Sequence, residues 1–211
     1  LSSSSAASDV YKRQVLSSTA VWTDGAVHPM NSARTRLRTS AAELTRFAEA
    51  GARPIRTASF VSALIRADDV RRHGLPWADY FIWSDDFEYT GRLLKHSHGF
   101  NVDASRVEHR TATFAGAQDN PGNRLYFDVR NKIWALRSGS FSPVEAVLYG
   151  VSTALAWAKT TLRTRGSLVP IAIRGLRDAV LTAPRPSDQV LKADPARAEE
   201  LRAIQRGVIR R

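Results

Sequence analysis

The chain has 211 residues, 43% hydrophobic and 24% charged, which describes one ordinary globular domain or slightly more and excludes a disordered chain. It has no cysteine, so disulfides and thiolate metal sites are excluded and any metal must be held by oxygen or imidazole. The formal net charge of +11 is uneven: residues 1–123 hold 15 Lys+Arg against 13 Asp+Glu, whereas residues 124–211 hold 16 against 7, a basic half suited to an anionic membrane surface, phosphates or nucleic acid.

Residues 1–14, LSSSSAASDVYKRQ, resemble translated sequencing-adapter read-through and are set aside as a non-native tail. A native tail is the alternative. With Leu at position 1, the chain reads as the C-terminal part of something longer. Val15–Val21 predicts a strand that ends in the turn Trp22-Thr23-Asp24-Gly25. His28 to Ser40 is a basic loop with Arg34, Arg36 and Arg38. Ser40-Ala41-Ala42-Glu43 forms a capping box for a helix to about Ala50, stopped by Gly51. Arg56–Arg66 reads as one strand, and Asp68–Arg72 as a short helix ending at Gly74.

The next segment is the most informative. Asp85, Asp86 and Glu88 follow the aromatic run Trp77-Ala78-Asp79-Tyr80-Phe81-Ile82-Trp83. Like charges beside large rings are costly unless something compensates them, which makes this a candidate for general-base chemistry. Asp85 and Asp86 are placed to cap a helix from Phe87 to about His96, with Phe87, Thr90, Leu93 and Leu94 on one face. Acids decorating a helix N-terminus are the plainer reading. His96 and His98 read as solvent-facing, and His73 as a helix C-terminal residue.

Asn101–Asp103 and Arg106–His109 predict two short strands, and Thr111–Gly122 a loop. Beyond Asn123 the pattern turns helical, with Tyr126, Val129, Ile133 and Leu136 on one face. Ser142-Pro143 opens a second helix to about Arg163, and a third covers Leu168–Leu181. A Pro-rich linker (Ala183–Ser187) leads to a charged tail helix, Pro195–Arg210. The apolar stretch Ala146–Ala158 is too short to span a bilayer, which needs roughly 20 helical residues.

His73 to Tyr89 resembles the acceptor-side motif of family-2 inverting glycosyltransferases, nearest to actinobacterial galactofuranosyltransferases, with Ser84 between the Trp and the two Asp as a departure. His109 fits their downstream Val-x-His, and Trp22-Thr23-Asp24-Gly25, His28-Pro29-Met30-Asn31 and Asn123–Asn131 add to the likeness. The likeness covers most of residues 15–180. It implies an α/β chain: the C-terminal portion of a GT-A domain followed by a helical, basic C-terminal region. The implied divisions are residues 15–122 for the acceptor-side part, 123–182 for the helical region and 183–211 for linker and tail. The family's Asp-x-Asp metal motif does not occur here, so the donor-binding half is expected outside this sequence and the chain alone is expected to be inactive.

The resemblance assigns Asp86 as the base, with Asp85 and Glu88 orienting acceptor hydroxyls. It makes His109 a ligand of a divalent metal, Mn2+ or Mg2+; a strand histidine bonded to a carbonyl is the plainer alternative. Trp77, Tyr80 and Trp83 are candidates to stack on sugar faces, although core packing competes for two of these aromatics. Arg124, Tyr126 and Arg130 are candidates for a phosphate or lipid head group, against a solvated basic helix face. The implied partners are a UDP-sugar, a polyprenyl-diphosphate-linked rhamnosyl-GlcNAc acceptor and an anionic membrane surface. The location implied is the inner face of the plasma membrane. A dTDP-rhamnose-dependent transferase is the near alternative. A basic nucleic-acid module is the distant one, and no nucleic acid is expected because the aromatics cluster with the acids.

Overall fold

The computed structural model describes residues 13–111, 114, 121–191, 194–196 and 199. Its strand β1 (Arg13–Val21) occupies the predicted position, with Val15, Ser17 and Thr19 buried in alternation. Four more strands complete a mixed sheet: β2 (Arg34–Thr35), β3 (Ala52–Thr57), β4 (Ala63–Ile65) and β5 (His98–Glu108), in the order β2-β3-β5-β1-β4. Only β1 and β5 run parallel; the other neighbours are antiparallel.

Two sequence expectations are corrected here. The predicted Arg56–Arg66 strand is two strands, because Ser59 and Ser62 turn the chain between them, Ser62 N–H donating to the Ser59 carbonyl. The two predicted pieces at 101–109 are one strand. Ser18 pairs with Val102 but Thr19 pairs with Arg106, so β5 carries a bulge there that sequence periodicity reads as a break.

The helices are α1 (Ala41–Glu49), α2 (Ala67–His73), α3 (Asp85–Leu93), α4 (Leu125–Arg137), α5 (Pro143–Arg163), α6 (Val169–Leu181) and α7 (Ser187–Leu191). α1 has the expected capping box, Ser40 and Glu43 satisfying each other's backbone N–H groups. Ser142 and Glu145 repeat it at α5, with Pro143 in the first turn. α3 ends at Leu93, earlier than expected, with Leu94, 2% exposed, as its C-cap.

α3 is the middle layer. On one side it packs on the sheet through Tyr89, Leu93, Leu94, Val15 and Ile55. On the other, Phe87 joins Tyr80, Trp134, Phe141 and Tyr149 beneath the helical layer. The predicted face, Phe87, Thr90, Leu93 and Leu94, is buried, and Glu88, Tyr89 and Gly91 are buried beside it because the helix is covered on two sides. Gly91 allows the closest approach: a Cβ there would lie 2.5 Å from the Phe141 ring. Arg56, 3% exposed, ties the layers together. Its guanidinium donates to Glu145 at 2.6 Å and to the carbonyls of Gly91 and Ser140. Burial alone would raise the Glu145 carboxyl, but the bonds from Arg56 and Ser142 hold it below the usual range.

The face of α4 also differs from expectation. It buries Leu125, Asp128, Val129, Asn131, Trp134 and Ala135, so two polar residues share the packed side. The outer stripes of α5 and α6 are open: Val147, Val151, Leu155, Ile173 and Val180 are each at least half exposed. Among the described residues no helix is long and apolar enough to cross a membrane. Most of the predicted tail helix and most of the Thr111–Gly122 loop lie outside the described residues.

Candidate active site

The aromatic run enters α3 through a strained turn. Phe81, Trp83 and Ser84 have φ of 62°, 63° and 65°, a region that non-glycine residues rarely adopt. Asn131, fully buried, holds the turn: its side-chain amide donates to the carbonyls of Tyr80, Ile82 and Trp83 at 2.7, 2.8 and 2.9 Å. Such strain persists where surrounding groups over-determine it, and it concentrates at working sites.

The turn delivers Trp83, Asp85 and Asp86 to a cleft of about 630 Å³. Asn31 closes it from the loop after β1, Arg34 from β2, Ser59 from the turn after β3, and Asp128 and Lys132 from α4, while Ser152 and Ala156 of α5 also line it. Ser84, not either Asp, occupies the N-cap, and the two Asp lie in the first turn. Burial, then the neighbouring Asp85 charge, raises the Asp86 carboxyl above its ordinary range, although the Phe87 N–H, the Ser59 hydroxyl and Lys132 work against the shift.

Polar contacts run from Asp86 to His109. The Ser59 hydroxyl acts on the Asp86 carboxylate, lowering its pKa, and the Asn31 amide donates to Ser59 Oγ at 3.0 Å. Asn31 Oδ1 then accepts from His109 Nδ1 at 2.7 Å. A carboxamide oxygen only accepts, so His109 carries its proton on Nδ1 when neutral and leaves Nε2 free as a lone-pair donor. His28, fully buried, lies 5.1 Å from the His109 ring; burial, then His109, pushes its pKa down. Among the described residues no group of three or more His, Asp or Glu side chains is arranged to hold a metal. His109 is one oriented ligand candidate.

The other predicted residues separate. Glu88 is 1% exposed and lies behind the cleft, accepting from Ser140 Oγ at 2.7 Å and pairing with Arg92. Tyr80 is core, against Trp134, and burial raises its phenol pKa steeply. Trp77 packs on the same cluster with the Arg92 guanidinium over its ring, so Trp83 alone of the three aromatics lines the cleft. Tyr126 donates to Asp178, and Arg130 donates to the Asp79 carbonyl at 2.6 Å, against the Tyr126 and Trp134 rings. Arg124 is exposed, and neither it nor Tyr126 nor Arg130 lines the cleft.

Sequence reasoning passed over Lys132, Asp128 and Ser59. Asp128 and Lys132 stand one helical turn apart, an i,i+4 pairing that was open to view. No family model, curated protein or solved structure matches this chain.

Proposed function

We propose that the cleft is the acceptor side of an inverting sugar transferase of the GT-A type. The observation that carries the reading is Asp86: a carboxylate of raised proton affinity, beside Asp85, lining the cleft. In the proposed step Asp86 takes the proton of an acceptor hydroxyl as that oxygen bonds to the anomeric carbon. The bond from this carbon to the donor phosphate breaks, and the diphosphate leaves with the electron pair. Trp83 offers a ring for a sugar face, and Asp85 a second acceptor for hydroxyl protons. The mixed α/β sheet is compatible with such a domain. The divalent metal remains part of the proposal, with His109 as a ligand, and no step above runs through it.

The substrates proposed are UDP-galactofuranose and a polyprenyl-diphosphate-linked rhamnosyl-GlcNAc; dTDP-rhamnose is the alternative donor. In transfer assays on the longest natural chain that carries these residues, Asp86→Asn is expected to lower turnover by about 10²–10⁴-fold while donor binding persists. Wild-type turnover in that variant would reject Asp86 as the base.

A lipid-linked acceptor requires a membrane beside the cleft, and α5 offers one. Ser152 and Ala156 face the cleft, while Val147, Val151 and Leu155 are exposed next to them. Lys159, Arg163, Arg174 and Arg177 are exposed along α5 and α6, an arrangement of aliphatic and basic groups that suits an anionic interface. A peripheral position on the inner leaflet follows as a proposal. Flotation with phosphatidylserine vesicles is expected to carry the chain, and Val151→Asp with Leu155→Asp to abolish it. Equal flotation with neutral vesicles would remove the electrostatic part.

A further inference from the structure

Arg56, Arg92 and Arg130 show how this fold treats a half-buried or buried guanidinium. Arg56 has Glu145 and two carbonyls; Arg92 has Glu88 and the carbonyls of His73 and Leu75; Arg130 has the Asp79 carbonyl and Asn131. Of the two cations in the cleft, Lys132 is half-buried and Arg34 is exposed. The Lys132 ammonium lies 4.1 Å from the centroid of the Phe87 ring. The Arg34 guanidinium lies 5.4 Å from that same ring and 5.2 Å from Tyr149. Among the described residues neither has a carboxylate within 4.0 Å. Asp128, the acid one turn before Lys132, has an oxygen engaged by the Trp157 indole N–H at 2.7 Å.

From this we infer that Arg34 and Lys132 form an anion subsite for the phosphate groups of a diphosphate-bearing ligand. Two cations beside one ring repel each other, and half-burial takes from Lys132 part of the water that would screen it, while Arg34 stays exposed for a ligand to reach. A bound dianion relieves both costs. Burial lowers the Lys132 ammonium to about 8, with the Asp128 and Asp86 charges acting against the shift and the Arg34 charge acting with it. Asp86 stands in the same cleft, so a single ligand with a phosphate and a hydroxyl can meet both groups. The subsite takes its meaning from the sugar-transfer reading. It also replaces Arg124, Tyr126 and Arg130 as the phosphate contacts.

The test is calorimetric titration of the whole chain with inorganic pyrophosphate at low salt. Lys132→Met, which keeps a side chain on Phe87, and Arg34→Gln are each expected to weaken binding roughly tenfold or more. Lys132→Arg is expected to restore it, which separates lost charge from lost folding. Titrations with UDP and with geranyl diphosphate distinguish a donor source from a lipid-linked one, the tighter of the two naming the source. The proposal is overturned if pyrophosphate does not bind the wild type at millimolar concentration, or binds Lys132→Met as it binds wild type. Asp86→Asn, by removing a nearby negative charge, is expected to leave pyrophosphate binding intact or tighter. Failure of the anion subsite thus appears in the titration, and failure of the base appears in the transfer assay.

Discussion

Asp86 and Glu88 stand two positions apart at the start of one helix, and their surroundings have almost nothing in common. Asp86 opens on the cleft, near another acid, with a raised proton affinity. Glu88 is sealed behind it against Arg92 and Ser140. Successive helical residues are about 100° apart, so two positions carry the chain across the helix from solvent to interior. The difference teaches that an acidic motif here is two devices. One carboxylate faces the cleft with its ionisation opposed by burial and by Asp85. The other fixes the helix that presents the first.

The supporting side is the easier to break. Arg56 holds α3 through the Gly91 carbonyl and α5 through Glu145. Arg56→Met is expected to cost about 3–5 kcal/mol, because it leaves Glu145 and two carbonyls without their donor. Urea unfolding measures this, and a loss below about 1 kcal/mol would show that the layers are held by apolar packing alone. Glu88→Gln is expected to cost less, about 2–3 kcal/mol, since the Arg92 guanidinium keeps the carbonyls of His73 and Leu75.

The two sides were also unequally legible in the sequence. Ser40 with Glu43 and Ser142 with Glu145 announced their helices because a capping box closes within four residues. The strand β1 followed from its β-branched run. Nothing local pointed to Arg56 as a tie, because Glu145 lies 89 positions away. The same holds for Asn131, whose three carbonyl partners lie 48 to 51 positions before it. That clamp also explains why the apolar periodicity of Tyr126, Val129, Ile133 and Leu136 misplaced the buried face of α4. A polar residue with a distant partner is indistinguishable, in sequence, from one that faces water. Asp85 and Asp86 were found by their neighbours in the chain, Lys132 only by its neighbours in space.

The cleft side gives the smallest effect and the one whose sign separates the two carboxylates. Asp86 has a folded-state pKa above its unfolded value, because burial and Asp85 oppose its ionisation. The folded state therefore binds more protons than the unfolded state between the ordinary aspartate range near 3.9 and the raised value. Across that window stability falls as pH rises, and at neutral pH the ionised Asp86 opposes folding. Asp86→Asn is expected to stabilise the chain at pH 7 and to change little at pH values where both states are protonated. Thermal unfolding in both conditions reads the sign, with Glu88→Gln as the destabilised counterpart. If Asp86→Asn instead destabilises at pH 7, the Ser59 and Phe87 hydrogen bonds outweigh burial, and Asp86 is a structural carboxylate like Glu88.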